Sequence, residues 1–168
     1  MAAFDREIVE LLPRLRRLAR VLTRSPADAD DLVQLSVERA LGRRDQWRPG
    51  TRLDSWMFRI MKNAWIDETR ARSRRSAVLA PEEAGDRVGE DGAAAMQARL
   101  EARAVEAAMA RLPEDQRLAV ALVLVEGLSY GEAAEVLEIP PGTLTSRLVR
   151  GRMALAAQLR QDEPEAAP

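Results

Sequence analysis

Apolar positions recur at three- and four-residue steps along most of this chain, the spacing that gives a helix one buried stripe. Leu11, Leu15, Leu18 and Leu22 mark a first helix over residues 5–23. Pro13 falls inside it and predicts a kinked or separate first turn, because proline has no N–H to donate and crowds the preceding turn. A second helix start is written as Ser25-Pro26-Ala27-Asp28. It offers a hydroxyl to cap the first turn, proline where no N–H is needed, and an acid beside the positive helix end. That helix is expected to run to Leu41 and stop at Gly42, and Pro49-Gly50 marks a turn in the loop that follows. A long helix then covers 52–75, with Leu53, Met57, Ile60 and Ala64 as its core stripe.

Between residues 76 and 92 the period disappears while Pro81, Gly85, Gly89, Gly92 and acids accumulate, the composition of a flexible linker. Helical pattern returns over 94–111 and restarts after Pro113. Leu118, Ala121, Leu122 and Val125 share one face, and Val120, Val123 and Leu124 make this helix apolar almost all round, which places it centrally in its domain. Gly127 ends it. Ser129-Tyr130-Gly131-Glu132 has the form of a capping box and opens a short helix to Leu137. Glu138-Ile139-Pro140 is a tight connector, and Pro141 opens a last helix to about Leu159. The expected fold is all-α: two small helical domains, 1–75 and 96–160, joined by a flexible acidic linker over 76–95 and followed by a disordered tail over 161–168. No strand and no internal repeat is expected.

Composition narrows function by exclusion. The 168 residues include no Cys and no His, which removes disulfides, thiolate nucleophiles, most zinc sites and the usual general base. A carboxylate-only site remains open, and Asp28, Asp30 and Asp31 are its one cluster. Acids in a first helical turn complement the helix dipole, so that reading is preferred and no metal or cofactor is expected. No apolar run approaches the roughly 20 residues that span a bilayer. The first residues, with Asp5 and Glu7, lack a basic–apolar–small signal pattern, so the expected compartment is the cytoplasm and no membrane insertion is expected.

The net charge of −1 conceals a segregation: residues 1–75 carry 17 basic against 11 acidic side chains, residues 76–110 carry 3 against 7, and residues 111–168 carry 6 against 9. A basic first half points to a polyanion partner. On the 52–75 helix, Trp56, Arg59, Asn63 and Arg70 align beside the core stripe. An aromatic, an amide and guanidinium groups on one face suit single-stranded or melting DNA, whose unstacked bases need a flat surface. Trp47, beside Arg48 in the preceding loop, is a candidate wedge or stacking platform. Core packing is the alternative for Trp47 and Trp56, and it is the preferred reading for Phe58 and Trp65. In the second half, two helices joined by a three- or four-residue turn have the form of a helix-turn-helix unit. Its last helix places Leu144, Leu148, Leu155 and Leu159 on one stripe and Thr143, Ser146, Arg147 and Arg150 on another face, the chemistry that reaches phosphates and guanine edges.

Taken together, DADDLVQLSVERAL (28–41), RLDSWMFRIMKNAWIDETRARSRR (52–75) and LPEDQRLAVALVLVEGLSYGEAAEVLEIPPGTLTSRLVRGRMAL (112–155) resemble, in order, the sigma factors of the extracytoplasmic-function group, which keep only the two essential sigma domains. The resemblance implies a non-catalytic protein that binds core RNA polymerase, at the beta-prime clamp and the beta flap, and directs it to promoter DNA. It places Asp31, Leu32 and Gln34 in the polymerase-docking helix, and Trp47 and Arg48 in the loop that captures a flipped base of the −10 element. Asn63, with Trp56, Arg59 and Arg70, falls on the −10 helix, and Thr143, Ser146, Arg147 and Arg150 fall on the −35 reading helix. A helical anti-sigma factor is the expected regulator. Three positions depart from the family pattern. Thr145 stands where Lys or Arg is common, and Glu138 replaces a turn glycine and is expected to bring negative charge near DNA. Gly151 interrupts the reading helix, where glycine costs about 1 kcal/mol against alanine. Weak or unusual −35 recognition is the implied consequence. A sigma-like mimic that titrates an anti-sigma factor, and an ordinary helix-turn-helix regulator, are the competing readings.

Overall fold

In a computed structural model of the protein, describing residues 3–76 and 92–162, the apolar stripes close around one another as seven α-helices, with no strand among the described residues. They are α1 (Ala3–Leu22), α2 (Pro26–Gly42), α3 (Leu53–Ser76), α4 (Ala93–Ala110), α5 (Glu114–Val120), α6 (Tyr130–Leu137) and α7 (Pro141–Asp162). The all-α expectation holds. Residues 77–91 of the expected linker and the tail from Glu163 lie outside the described residues. Within the described part the last helix runs past Leu159 to Asp162, whose carboxylate is paired at 3.1 Å with Arg111.

Local signals act as expected at most helix starts. The Ser25 hydroxyl accepts from the Asp28 N–H at 3.1 Å with Pro26 opening α2, and Ser129 and Glu132 form a reciprocal capping box at α6. Two expectations need correction. Pro13 does not break α1, which continues through it. Pro13 is exposed, as is Val9, whose carbonyl loses its donor, so solvent can take the place of the missing bond. The helix after Pro113 is not uniform: beyond Val120 it widens into a π turn, Ala121–Val125, with the Glu126 N–H bonded to the Ala121 carbonyl at 3.0 Å. The run is central, with Leu118 to Leu122 buried, yet Leu124 faces out.

The buried side chains of both halves form one apolar cluster. In the first half α1, α2 and α3 enclose Leu15, Leu18, Leu22, Leu32, Met57, Phe58 and Met61. In the second, Val120, Leu122, Leu144 and Leu148 are enclosed by α5, α6 and α7. The halves meet where α1 packs on α4 and the π turn, and where α3 packs on α6. This junction is ionic as well as apolar. Glu126, its side chain fully enclosed, is held by Arg14 at 3.1 Å and Arg17 at 2.9 Å. Arg14 also pairs with Asp54 at 2.9 Å and lies 5.0 Å from the Phe58 ring centroid. Arg117, buried against the Trp65 ring, donates to the carbonyls of Leu22, Ala110 and Leu112, so one guanidinium ties the C-terminal end of α1 to that of α4. Burial lowers the pKa of Arg117 from its ordinary value.

Gly151 owes its place to this packing. It is buried in α7 against α5, where an added Cβ would stand 2.7 Å from Val120 Cγ2 and 3.2 Å from the Gln116 carbonyl oxygen. Gly151→Ala is therefore expected to lower stability by about 1–3 kcal/mol despite alanine's better helix propensity. Gly142→Ala, with open space at its Cβ, should be neutral or slightly stabilising; urea denaturation of the two variants separates these outcomes.

Burial pushes the Asp54 carboxyl upward, but hydrogen bonds from Arg52, Arg14 and the Ser55 N–H outweigh it and hold the group at about 2. An acid with a lowered folded-state pKa contributes stability above its unfolded value of about 4 and loses it as pH falls through the folded value. Asp54→Asn should thus cost about 1 kcal/mol at pH 6, allowing for solvent screening. The urea midpoints of variant and wild type should converge between pH 4 and pH 2, the lower limit being the folded-state value.

Candidate nucleic-acid interface

The α3 face that carries the basic and aromatic residues is built on a buried stripe of Leu53, Met57, Ile60 and Ala64. Its Trp56 is half-buried, with the Phe4 ring 6.0 Å away edge-on, and Trp47 packs on the same Phe4 ring at 5.3 Å. Both tryptophans are thus held from one side by the N-terminal turn of α1. Either alternative alone misses this: they pack, yet remain partly open. The Trp47 indole N–H is buried without an acceptor. Phe58 and Trp65 are core, as preferred. Arg48, Asn63 and Arg70 are exposed.

Arg59 is not free. It donates to the Glu135 carbonyl at 3.2 Å, in the last turn of α6, where the helix dipole favours a cation. Two nearby cations, Arg52 just before α3 and Lys62 within it, behave alike. Arg52 pairs with Glu132 of α6 and, at 2.7 Å, with Asp54, and Lys62, itself buried, reaches Glu138 at 3.4 Å. The Ser129 N–H and Arg52 hold the Glu132 carboxyl below its usual range against the effect of burial. Arg52, Arg59 and Lys62 meet positions 132, 135 and 138 in the same order along the two segments.

Glu138 stands in the turn between α6 and α7. Its backbone is left-handed, φ 57°, the only non-glycine residue with positive φ among those described. Glycine would adopt this conformation without the 1–2 kcal/mol or so that a side chain costs there. The side chain that occupies the place pairs with Lys62 of α3, so its charge is directed to the first half of the chain.

On α7, Leu144, Leu148 and Gly151 are buried, whereas Leu155 and Leu159 are only partly covered. Ser146 and Arg150 are exposed and Thr143 is half-buried on the first turns of the same helix. Arg147 is half-buried and pairs with Asp115 of α5 at 3.5 Å. Thr145 is exposed and turns its hydroxyl back to the Pro141 carbonyl at 3.0 Å.

On α2, Asp31 and Gln34 are exposed, the latter donating to Glu38 at 3.0 Å. Leu32 is buried in the core, so any part it has in docking is to fix the helix that presents the other two. Gln34 stands on a surface groove of about 640 Å³ between α1 and α2, lined also by Leu12, Arg16, Arg20, Val33 and Val37. Asp28 is engaged by Arg72 of α3, whose hydrogen bond lowers its pKa against burial. No group of three or more potential metal ligands occurs among the described residues.

Sequence reading passed over Glu126, Arg117, Arg14 and Arg17. A signal for two of them was present: Arg117 and Glu126 bracket the wholly apolar run 118–125, so a helix that buries most of this run has a charge to place at each end. The partners Arg14 and Arg17 come from a helix more than 100 positions away and leave no local trace.

Comparison with known proteins agrees with this architecture. Residues 102–155 match the family described as Sigma-70, region 4, and residues 8–62 match the Sigma2 domain of PhyR. The ECF RNA polymerase sigma factor EcfG of Rhodopseudomonas palustris is 36% identical over 159 residues, covering 95% of this chain and 86% of that protein. The ECF sigma factor SigM of Mycobacterium tuberculosis is 36% identical over 160 residues, covering 94% and 77%. Among solved structures, the sigma factor RpoE from Bartonella quintana, determined in complex with the anti-sigma factor NepR, superposes with a TM-score of 0.80 at 30% identity, covering 95% of this chain and 98% of that one. Identity at this level, over nearly the whole of both chains and with both sigma regions in order, makes this chain a member of the ECF group of RNA polymerase sigma factors.

Proposed function

We propose that this sigma factor binds core RNA polymerase and directs it to a specific class of promoters, with residues 1–75 and 96–160 acting as its two functional units. The observation that supports the reading is a pair of polar, cationic faces, on α3 and α7, each standing on its own buried stripe. Asp31 and Gln34, fixed by Leu32 and beside the groove between α1 and α2, dock on the polymerase clamp, and the second half meets the beta flap. Trp47, Arg48, Trp56, Arg59, Asn63 and Arg70 receive the opened −10 strand, where aromatic faces stack on bases and guanidinium groups follow the backbone. Thr143, Ser146, Arg147 and Arg150 read duplex −35 DNA. The sigma factor contributes binding energy and strand capture, and polymerase carries the chemistry. It acts in the cytoplasm; no described helix is long and apolar enough to cross a membrane. An anti-sigma factor is its regulator, as one accompanies the structurally similar Bartonella protein.

A second reading has one specific observation behind it. The first half matches the Sigma2 domain of PhyR, and PhyR of Bartonella quintana is described as an anti-anti-sigma factor. In that reading the chain would sequester an anti-sigma factor without reading promoters.

Run-off transcription with core polymerase and a genomic promoter library tests the two. Specific initiation is expected. Its absence, together with tight binding to an anti-sigma factor, would favour the mimic. Asn63→Ala and Arg147→Ala should each reduce initiation about 5- to 100-fold, as loss of roughly 1–3 kcal/mol of base readout implies, while leaving polymerase binding intact. Unchanged promoter use in both variants would show that the reading faces are assigned wrongly.

A further inference from the structure

We infer that Phe4, in the first turn of α1, is a positioning residue for capture of the opened strand: its ring fixes the faces that Trp47 and Trp56 offer to unstacked bases. The inference rests on the reading of those two tryptophans as part of the −10 face. They come from different elements, Trp47 from the end of the short 3-10 turn Arg44–Gln46 and Trp56 from the first turn of α3. The Phe4 ring touches both, at 5.3 Å and an interplanar angle of 45° to Trp47, and at 6.0 Å and 66° to Trp56. No hydrogen bond assists it at Trp47, whose indole N–H is buried without an acceptor, so packing alone sets how that side chain is turned. Phe4 is itself only 6% exposed. It is too covered to stack on a base, and its part in capture is played through its neighbours.

The ring is in turn tied to the turn that carries Trp47. The Arg44 guanidinium lies 5.5 Å from the Phe4 centroid and pairs with Asp5 at 3.8 Å, so one cation bridges the start of α1 and the 3-10 turn. The local backbone adds little: the Trp47 N–H reaches the Arg44 carbonyl at a long 3.3 Å. A base gains from an aromatic surface only when that surface is presented to it. A face correctly turned for part of the time binds with an affinity reduced by that fraction. Tilted and edge-on ring pairs are directional, whereas an aliphatic side chain fills most of the same space without holding the angle. Phe4→Leu therefore separates orientation from space filling, and Phe4→Tyr keeps the ring.

Holoenzyme reconstituted from core polymerase and the full chain is titrated with a fluorescent single-stranded −10 oligonucleotide. Phe4→Leu should bind it about 5- to 50-fold more weakly than wild type, with unchanged affinity for core polymerase, and Phe4→Tyr should restore most of the loss. In a Trp47→Leu, Trp56→Leu background, Phe4→Leu should cost nothing further, because no indole is left to orient. An equal loss in that background, or in Phe4→Tyr, marks a general structural role and overturns the inference. Wild-type binding by Phe4→Leu overturns it too, and leaves the tryptophans in place as long as their own double variant binds weakly. Wild-type binding by that double variant overturns both the inference and the assignment of the tryptophans. Should Phe4→Leu fail to fold, Asp5→Asn asks the same question from the surface, because it releases Arg44. Loss of an acid beside a DNA face would by charge alone tighten binding. Weaker binding by Asp5→Asn therefore supports the brace, and unchanged or tighter binding overturns it.

Discussion

A carboxylate removed from water has to be compensated where it stands, and the Glu126 side chain is removed completely. Several features of the structure follow from that constraint. Arg14 and Arg17 lie one turn apart on α1 and grip the two oxygens, and Arg14 is itself fixed by Asp54 and by the face of Phe58. The π turn that precedes Glu126 presents it inward at the end of an apolar run. Removing one partner of such a buried group typically costs 3–5 kcal/mol, whereas replacing the whole set by apolar side chains is often neutral or stabilising. An ionic junction is therefore not the most stable way to join two helical halves. It differs from an apolar junction in how its two faces would fare in water. Guanidinium and carboxylate groups are well solvated once apart, whereas two bare apolar faces would drive reclosure or aggregation.

Most of the helices were legible because their signals are local. Ser25-Pro26 and the Ser129–Glu132 box are complete within four residues, and the stripes of α3 and α7 repeat within one helix. What escaped was set by residues distant in sequence. Pro13 reads as a helix breaker until its exposed setting is known. Gly151 reads as a weak point in the reading helix, yet α5 approaches so closely that a methyl group would not fit. Glu138 reads as an added charge in a turn, and its partner Lys62, 76 positions earlier, leaves no local trace. The π turn was hidden because periodicity has no power in a run where every position is apolar. The candidate DNA residues were found by face and chemistry, but whether a cation is free or already paired cannot be read from its own helix. Arg48 and Arg70 are exposed while Arg59 is engaged, although all three look alike in sequence.

The segregation of charge along the chain takes on a second meaning in this light. A basic first half would by itself attract any nucleic acid, with an affinity set by how many phosphates it neutralises and little regard for sequence. Glu132 and Glu138 of the second half pair with Arg52 and Lys62 of the first, a small part of the acid that brings the whole chain to a net charge of −1. The two candidate DNA faces also differ in how far they are engaged. Of the candidate residues on α3, Arg59 is engaged by the Glu135 carbonyl while Asn63 and Arg70 are exposed; on α7, Ser146 and Arg150 are exposed and Arg147 pairs with Asp115 within its own half.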